Sequence, residues 1–167
     1  SDPEVVLIYV ATPHSHHFAH AKLCVEHGKA ALVEKSFTQN AAQAKELLAL
    51  AKEKRVLVTE AIWTRYMPSR KMVNDLIAGG AIGTPYSLYA TLSYPIADKE
   101  RIMKPELAGG ALLDIGIYAL NFASMVFGDD VKEQKVEALL NDKGVDLAEN
   151  ITLIYNDNKM AVLHSDV

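Results

Sequence analysis

The sequence predicts an α/β fold in two parts: a parallel sheet of β-α-β-α-β order within residues 1–62, then, within 63–167, part of an α+β domain whose open sheet is mainly antiparallel. Two observations carry this expectation. Short β-branched apolar runs alternate with stretches of helical periodicity as far as Thr59, the order that parallel strands joined by helices require. Beyond Trp63 the runs alternate apolar with polar residues, as strands packed on one face do. With 167 residues, 50% of them apolar, the chain can bury a core.

Residues 5–11 are continuously apolar, the pattern of a strand covered on both faces, and Thr12-Pro13 ends it. Ser15 is placed to cap a helix over 16–27, with Ala19, Leu23 and His27 on one stripe and Gly28 after it. Residues 30–33 form a second strand. Ala44, Leu47, Leu48 and Ala51 recur at helical spacing and predict a helix over 41–55, and residues 56–59 supply a third strand. Pro68 can open a helix whose apolar face holds Met72, Val73, Leu76 and Ile77 and which Gly79-Gly80 stops. Residues 86–94 alternate like a strand, and 111–127 form a helix that is apolar nearly all round. Residues 136–140, 151–155 and 160–163 are the remaining strands, with a tight turn at 156–159.

Composition narrows the function classes. Lys and Arg number 17 against 21 Asp and Glu, so no cationic surface is available to neutralise phosphates, and neither nucleic acid nor an anionic membrane is an expected partner. The longest wholly apolar stretch, residues 5–11, is far short of the roughly 20 residues of a membrane-spanning helix. The amino end has neither the basic flank nor the apolar core of a signal peptide. Cys24 is the single cysteine and fits core packing in a reducing compartment, so a cytoplasmic location is expected.

An open parallel sheet places ligands beyond the carboxyl ends of its strands, which are Thr12-Pro13-His14, Glu34-Lys35-Ser36 and Glu60-Ala61-Ile62-Trp63. Lys35, at the end of a buried strand, can hold a nearby phenol in its ionised form; its plainer reading is a solvated partner of Glu34. Asp114 and Tyr118 lie four apart on one helix face and can look into one cleft. Taken singly, Asp114 suits a first-turn acid satisfied by helix amides, and Tyr118 a core ring with a bonded tip. Trp63 and Arg65, just past a strand end, suit stacking and anion binding, or interface packing. His14, His16, His17 and His20 cluster at a helix start, where i and i+4 spacing can offer zinc ligands, although the cluster itself holds no Cys or carboxylate.

Together these segments resemble a known family. Thr12-Pro13-His14-Ser15-His16-His17 and Glu34-Lys35-Ser36 resemble the Thr-Pro-Asn-x-x-His and Glu-Lys-Pro segments of the glucose-fructose oxidoreductase, inositol dehydrogenase and rhizopine-catabolism (Gfo/Idh/MocA) oxidoreductases. The run from Gly109 through Leu112, Asp114 and Gly116 to Tyr118 resembles their Gly-Gly-x-Leu-x-Asp-x-Gly-x-His/Tyr helix. Its tyrosine form, with Glu60-Ala61-Ile62-Trp63-Thr64-Arg65, is most similar to the dimeric dihydrodiol dehydrogenase and NADP-dependent xylose dehydrogenase branch. Ser36 and His14 depart from the usual proline and asparagine.

The resemblance implies that residues 1–62 are the second half of a Rossmann-type sheet and 63–167 part of a substrate and dimerisation domain, the chain being an internal fragment of a homodimeric protein. It implies NADP or NAD as cofactor and hydride transfer to or from a sugar or diol hydroxyl. Tyr118 would be the acid/base, Lys35 would lower its pKa, and Asp114 would orient the substrate or the basic pair. Thr12, Pro13, Glu34, Lys35, Trp63 and Arg65 would lie along the cofactor, and no metal is expected in the site. The sequence has no Gly-x-Gly-x-x-Gly, so the fragment is expected to be impaired in cofactor binding. Two rival readings are a non-catalytic sugar-binding or regulatory relative and a metal-binding module built on the histidines.

Overall fold

Three short strands, β1 (Leu7–Val10), β2 (Ala30–Val33) and β3 (Val58–Glu60), form a parallel sheet in that spatial order in the computed structural model, which describes residues 2–167. Helices α1 (His14–Glu26) and α2 (Ala41–Lys54) make the crossovers. Val10, Ala21, Val25, Ala31, Val33 and Leu47 are the centre of the core they enclose. Strand order 1-2-3 with right-handed connections returns both helices over the same face. Leu7 and Tyr9 on the opposite face are therefore exposed, and β1 is covered on one face rather than the two its composition suggested.

Helix α1 also differs from expectation. It starts at His14 with Pro13 in the capping position, while the Ser15 hydroxyl turns to the His16 ring. Its buried face is His14, His17, Ala21, Cys24 and Val25, and Leu23 points outward. His17 can be fully buried because its ring nitrogens reach the carbonyl oxygens of Ser36 and Thr12, at 2.7 and 2.8 Å, which apolar periodicity does not register. Helix α2 is capped by Asn40, whose side chain accepts from the Gln43 amide at 3.0 Å. Leu47 and Ala51 are its buried positions and Leu48 is exposed.

A tight turn (Trp63–Tyr66) leads into α3 (Pro68–Ala78), which buries no residue fully and leaves Met72 and Leu76 exposed. The second sheet contains β4 (Ser87–Ser93), β5 (Val131–Leu140), β6 (Asp146–Tyr155) and β7 (Met160–Asp166), in the order β4-β7-β6-β5. Its β5–β6 and β6–β7 pairs are antiparallel, but β4 runs parallel to β7, so the sheet is mixed. The long connection from β4 to β5 carries α4 (Glu100–Met103) and α5 (Ile117–Phe127) back across the sheet, which leaves β4 to join the free edge of β7.

Helix α5 packs Ala119, Ala123 and Phe127 against Leu88, Ile151, Leu153 and Leu163. By length and composition the segment Pro105–Phe127 is apolar enough to cross a membrane; in this fold it is interrupted at Ala108, whose φ is 53°, and its α5 face covers the sheet.

Candidate active site

The end of β2 and the wide turn that leads into α5 (Leu112–Gly116) meet at one ion pair. Lys35 Nζ donates to Asp114 Oδ1 at 2.7 Å and to the Asp114 carbonyl at 2.6 Å, with the two side chains only 15% and 7% exposed. Arg101, from α4, donates to both carboxylate oxygens at 2.8 and 3.3 Å. Burial alone would raise the Asp114 carboxyl, but the Arg101 and Lys35 bonds outweigh it and hold the group below the usual aspartate value. The His14 ring donates from Nδ1 to the Ala108 carbonyl at 2.8 Å and sets Nε2 3.7 Å from Asp114 Oδ1. Burial keeps this imidazole below its ordinary pKa, so it faces the carboxylate as a neutral ring.

The turn itself has i→i+5 geometry, a form frequent at functional sites. Leu112 N donates to the Asp146 carboxylate at 2.6 Å, and that carboxylate fills the space a side chain at Gly110 would take; Gly110 has φ 108°. Ser36 Oγ donates to the Leu113 carbonyl at 2.5 Å, and the Lys35–Ser36 peptide is cis.

Tyr118 lies one turn beyond Asp114. Its hydroxyl accepts from Trp63 Nε1 at 3.0 Å, and Lys35 Nζ stands 5.6 Å from the ring centroid. Burial pushes the phenol above its ordinary pKa; the Trp63 bond opposes this, and the charges of Glu34 and Asp114 add to it. Lys35 is the group expected to lower it. Its ammonium is engaged by Asp114 and sits over the ring rather than at the hydroxyl.

Two adjoining cavities share Lys35 and Asp114. One, of about 320 Å³, is lined by Thr12, Pro13, His14, Glu34 and Arg101; the other, of about 420 Å³, by Trp63, Thr64, Leu92, Tyr94 and Tyr118. Glu34 accepts from the Tyr9 hydroxyl and from the Lys35 amide. Arg65 lines neither cavity. His16 turns to the Ser15 hydroxyl and His20 to the Thr12 hydroxyl, whereas His14 and His17 bond the carbonyls of Ala108, Ser36 and Thr12. Among the described residues no three His, Cys, Asp or Glu groups converge as metal ligands. Arg101, His14 as a neighbour of Asp114, and Asp146 were not expected from sequence. They lie in stretches without periodicity, and only the long-range fold brings them in.

Residues 1–62 match an oxidoreductase family with an NAD-binding Rossmann fold, and residues 71–167 match the GFO/IDH/MocA C-terminal domain. The chain belongs to the Gfo/Idh/MocA oxidoreductase family. Similar proteins in this family include D-xylose 1-dehydrogenase (NADP(+)) of Hypocrea jecorina, 46% identical over 132 residues that make up 73% of this chain and 34% of that protein. Trans-1,2-dihydrobenzene-1,2-diol dehydrogenase of Xenopus laevis is 36% identical over 99% of this chain and 51% of its own length. Among solved structures, aldose-aldose oxidoreductase of Caulobacter crescentus complexed with glycerol superposes with a TM-score of 0.91 at 25% identity, covering 99% of this chain and 51% of that one. A 3-ketoreductase of Actinomadura kijaniata in complex with NADP and TDP-benzene gives 0.88 at 28% identity, over 99% and 52%. The Gfo/Idh/MocA chain described here thus spans from about a third to about half the length of these relatives.

Proposed function

We propose that this chain carries the reacting part of an NAD(P)-dependent dehydrogenase that moves a hydride between a nicotinamide cofactor and a sugar or diol hydroxyl. The observation that carries it is the meeting of Lys35, Asp114 and Tyr118 at cavities beyond the carboxyl ends of β1 and β2. The xylose and dihydrodiol dehydrogenases among its relatives support the substrate class. Thr12, Pro13, Glu34 and Trp63 fit the nicotinamide end of the cofactor, because they wall a partly polar recess at the strand ends with the lysine between them. Arg65, outside both cavities, is not assigned to it. The nicotinamide supplies the hydride acceptor or donor when bound.

Tyr118 takes the alcohol proton during oxidation and returns it during reduction. Because its phenol is held above the usual value, it is protonated near neutral pH, which favours donation to a carbonyl there and alcohol oxidation as pH rises. Lys35 and Asp114 orient the reacting hydroxyl, the carboxylate keeping the ammonium fixed. With no glycine-rich loop in this sequence, cofactor affinity of the chain alone is expected to be low. A homodimer formed through the open sheet is part of the reading, supported by the exposed Tyr89, Val136, Leu139 and Leu140, and light scattering of the complete protein tests it. A cytoplasmic location, to be checked by fractionation, completes it. In the complete protein Tyr118→Phe should lower kcat by about 10²–10⁴-fold with little change in cofactor affinity. Full turnover by that variant would refute the mechanism.

A further inference from the structure

Beneath the wide turn that carries Asp114 lies a second buried carboxyl group. Glu149 on β6 is 3% exposed and Ser165, its cross-strand partner on β7, is 1% exposed. The Ser165 hydroxyl donates to Glu149 Oε1, while Oε2 has no partner. Both groups press on Gly116: a Cβ built there would stand 2.5 Å from Glu149 Oε1, 2.7 Å from Ser165 Oγ and 3.2 Å from Leu112 Cδ1. Gly116 is the last residue of the turn, two before Tyr118 and two after Asp114.

We propose that Glu149 is a positioning residue for the site, its carboxyl bearing on Gly116 from below and fixing the turn that presents Asp114 and Tyr118. A buried carboxylate with one oxygen unpartnered is costly, which favours the protonated acid over the carboxylate. Burial raises its pKa; the Ser165 bond opposes this, Asp146 on the same strand adds to it, and of the β7 groups His164 opposes and Asp166 adds. Glu137 on β5 faces the adjoining surface groove, and Asp114 is turned away toward Lys35. Once ionised, Glu149 must seek water, which requires the contact with Gly116 to open. Rising pH therefore disengages the support from the turn.

Trp63, the single tryptophan, is bonded to Tyr118 and reports the turn without any substrate. The proposal rests on the dehydrogenase reading only for its kinetic readout. In the full chain, the side-chain carboxyl of Glu149, followed by ¹³C NMR, should titrate above the ordinary glutamate value of about 4.3, and Trp63 emission should change in parallel. Glu149→Gln keeps an acceptor for Ser165 but cannot ionise, so the emission change should vanish. In the complete protein kcat should fall about tenfold per pH unit above that midpoint, with KM changing less than about twofold, and E149Q should lack the decline. Titration of Glu149 in the ordinary range, emission that ignores it, or an unchanged pH profile in E149Q overturns the proposal. If E149Q does not fold, the parallel titration in the unaltered chain decides. Parallel titration without any turnover supports this role and counts against hydride transfer.

Discussion

Replacing Asp114 by asparagine tests whether the centre of the site is held by charge. The carboxylate accepts from Lys35 at 2.7 Å and from Arg101 at 2.8 Å. Lys35 is largely buried, so removing its counter-charge strands an ammonium in a poorly solvated place, and breaking such a pair costs about 3–5 kcal/mol. Arg101 is half exposed and can turn to water, so its share is discounted to below about 1 kcal/mol. Asparagine retains one acceptor for Lys35, which places the expected loss near the lower figure, about 3 kcal/mol. With a urea m-value of about 2 kcal/mol/M, the unfolding midpoint should fall by about 1.5 M. The pH dependence has a definite sign. Asp114 has a folded pKa below its unfolded value, so its contribution is complete above the unfolded value of about 3.9 and fades as pH falls through the folded one. The variant should therefore lose much at pH 7 and little near pH 2. A penalty under about 1 kcal/mol at pH 7, or equal penalties at both pH values, would show that the pair does not hold the turn. The double variant K35M/D114L should recover most of the stability, since apolar replacement of a buried pair is often neutral.

Trp63→Phe removes the donor that favours the Tyr118 phenolate, so the phenol should titrate still higher, as tyrosinate absorbance difference spectra would reveal; a lower value contradicts the bond. Glu149, whose folded pKa is raised, should make the chain lose stability as pH climbs from the unfolded glutamate value of about 4.3 through the folded one, and chemical denaturation of E149Q should flatten that slope. Asn40→Ala deletes the cap of α2 and should lower stability by about 1 kcal/mol in urea titration, leaving Trp63 emission of the native state unaltered.

The order of elements was legible because each signal is local: β-branched runs, Pro68 at a helix start, the turn at 156–159. What failed to register depends on what lies opposite. The composition of β1 could not reveal that both crossovers return over one face, nor could alternation in residues 86–94 reveal a parallel partner some 70 positions away. β5 is exposed at all ten positions and its mixed sequence gave no periodicity, so only its carboxyl half was expected. At the site, Lys35, Asp114 and Tyr118 were marked by strand end, helix spacing and motif. Arg101 carries no such mark: it lies 13 residues before Asp114 and becomes a neighbour only because α4 folds back. The competition between Asp114 and the Tyr118 phenol for one ammonium was not legible for a related reason, since it is a matter of distances.

Strand β7 comes late in the sequence yet lies inside its sheet, between β4 and β6. Its bond from Ser93 to Asp166 closes a loop of 73 residues, and its Ser165 is half of the floor under Gly116. During synthesis, then, the turn bearing Asp114 and the helix bearing Tyr118 leave the ribosome when β4 alone of their sheet has been made, before β6 and β7 supply the rest of the surface beneath them. Such non-local pairing slows folding, and for that interval α5 must keep its apolar face from other surfaces. A nascent chain stopped short of residue 160 should consequently be a client for chaperones rather than a smaller version of the same domain.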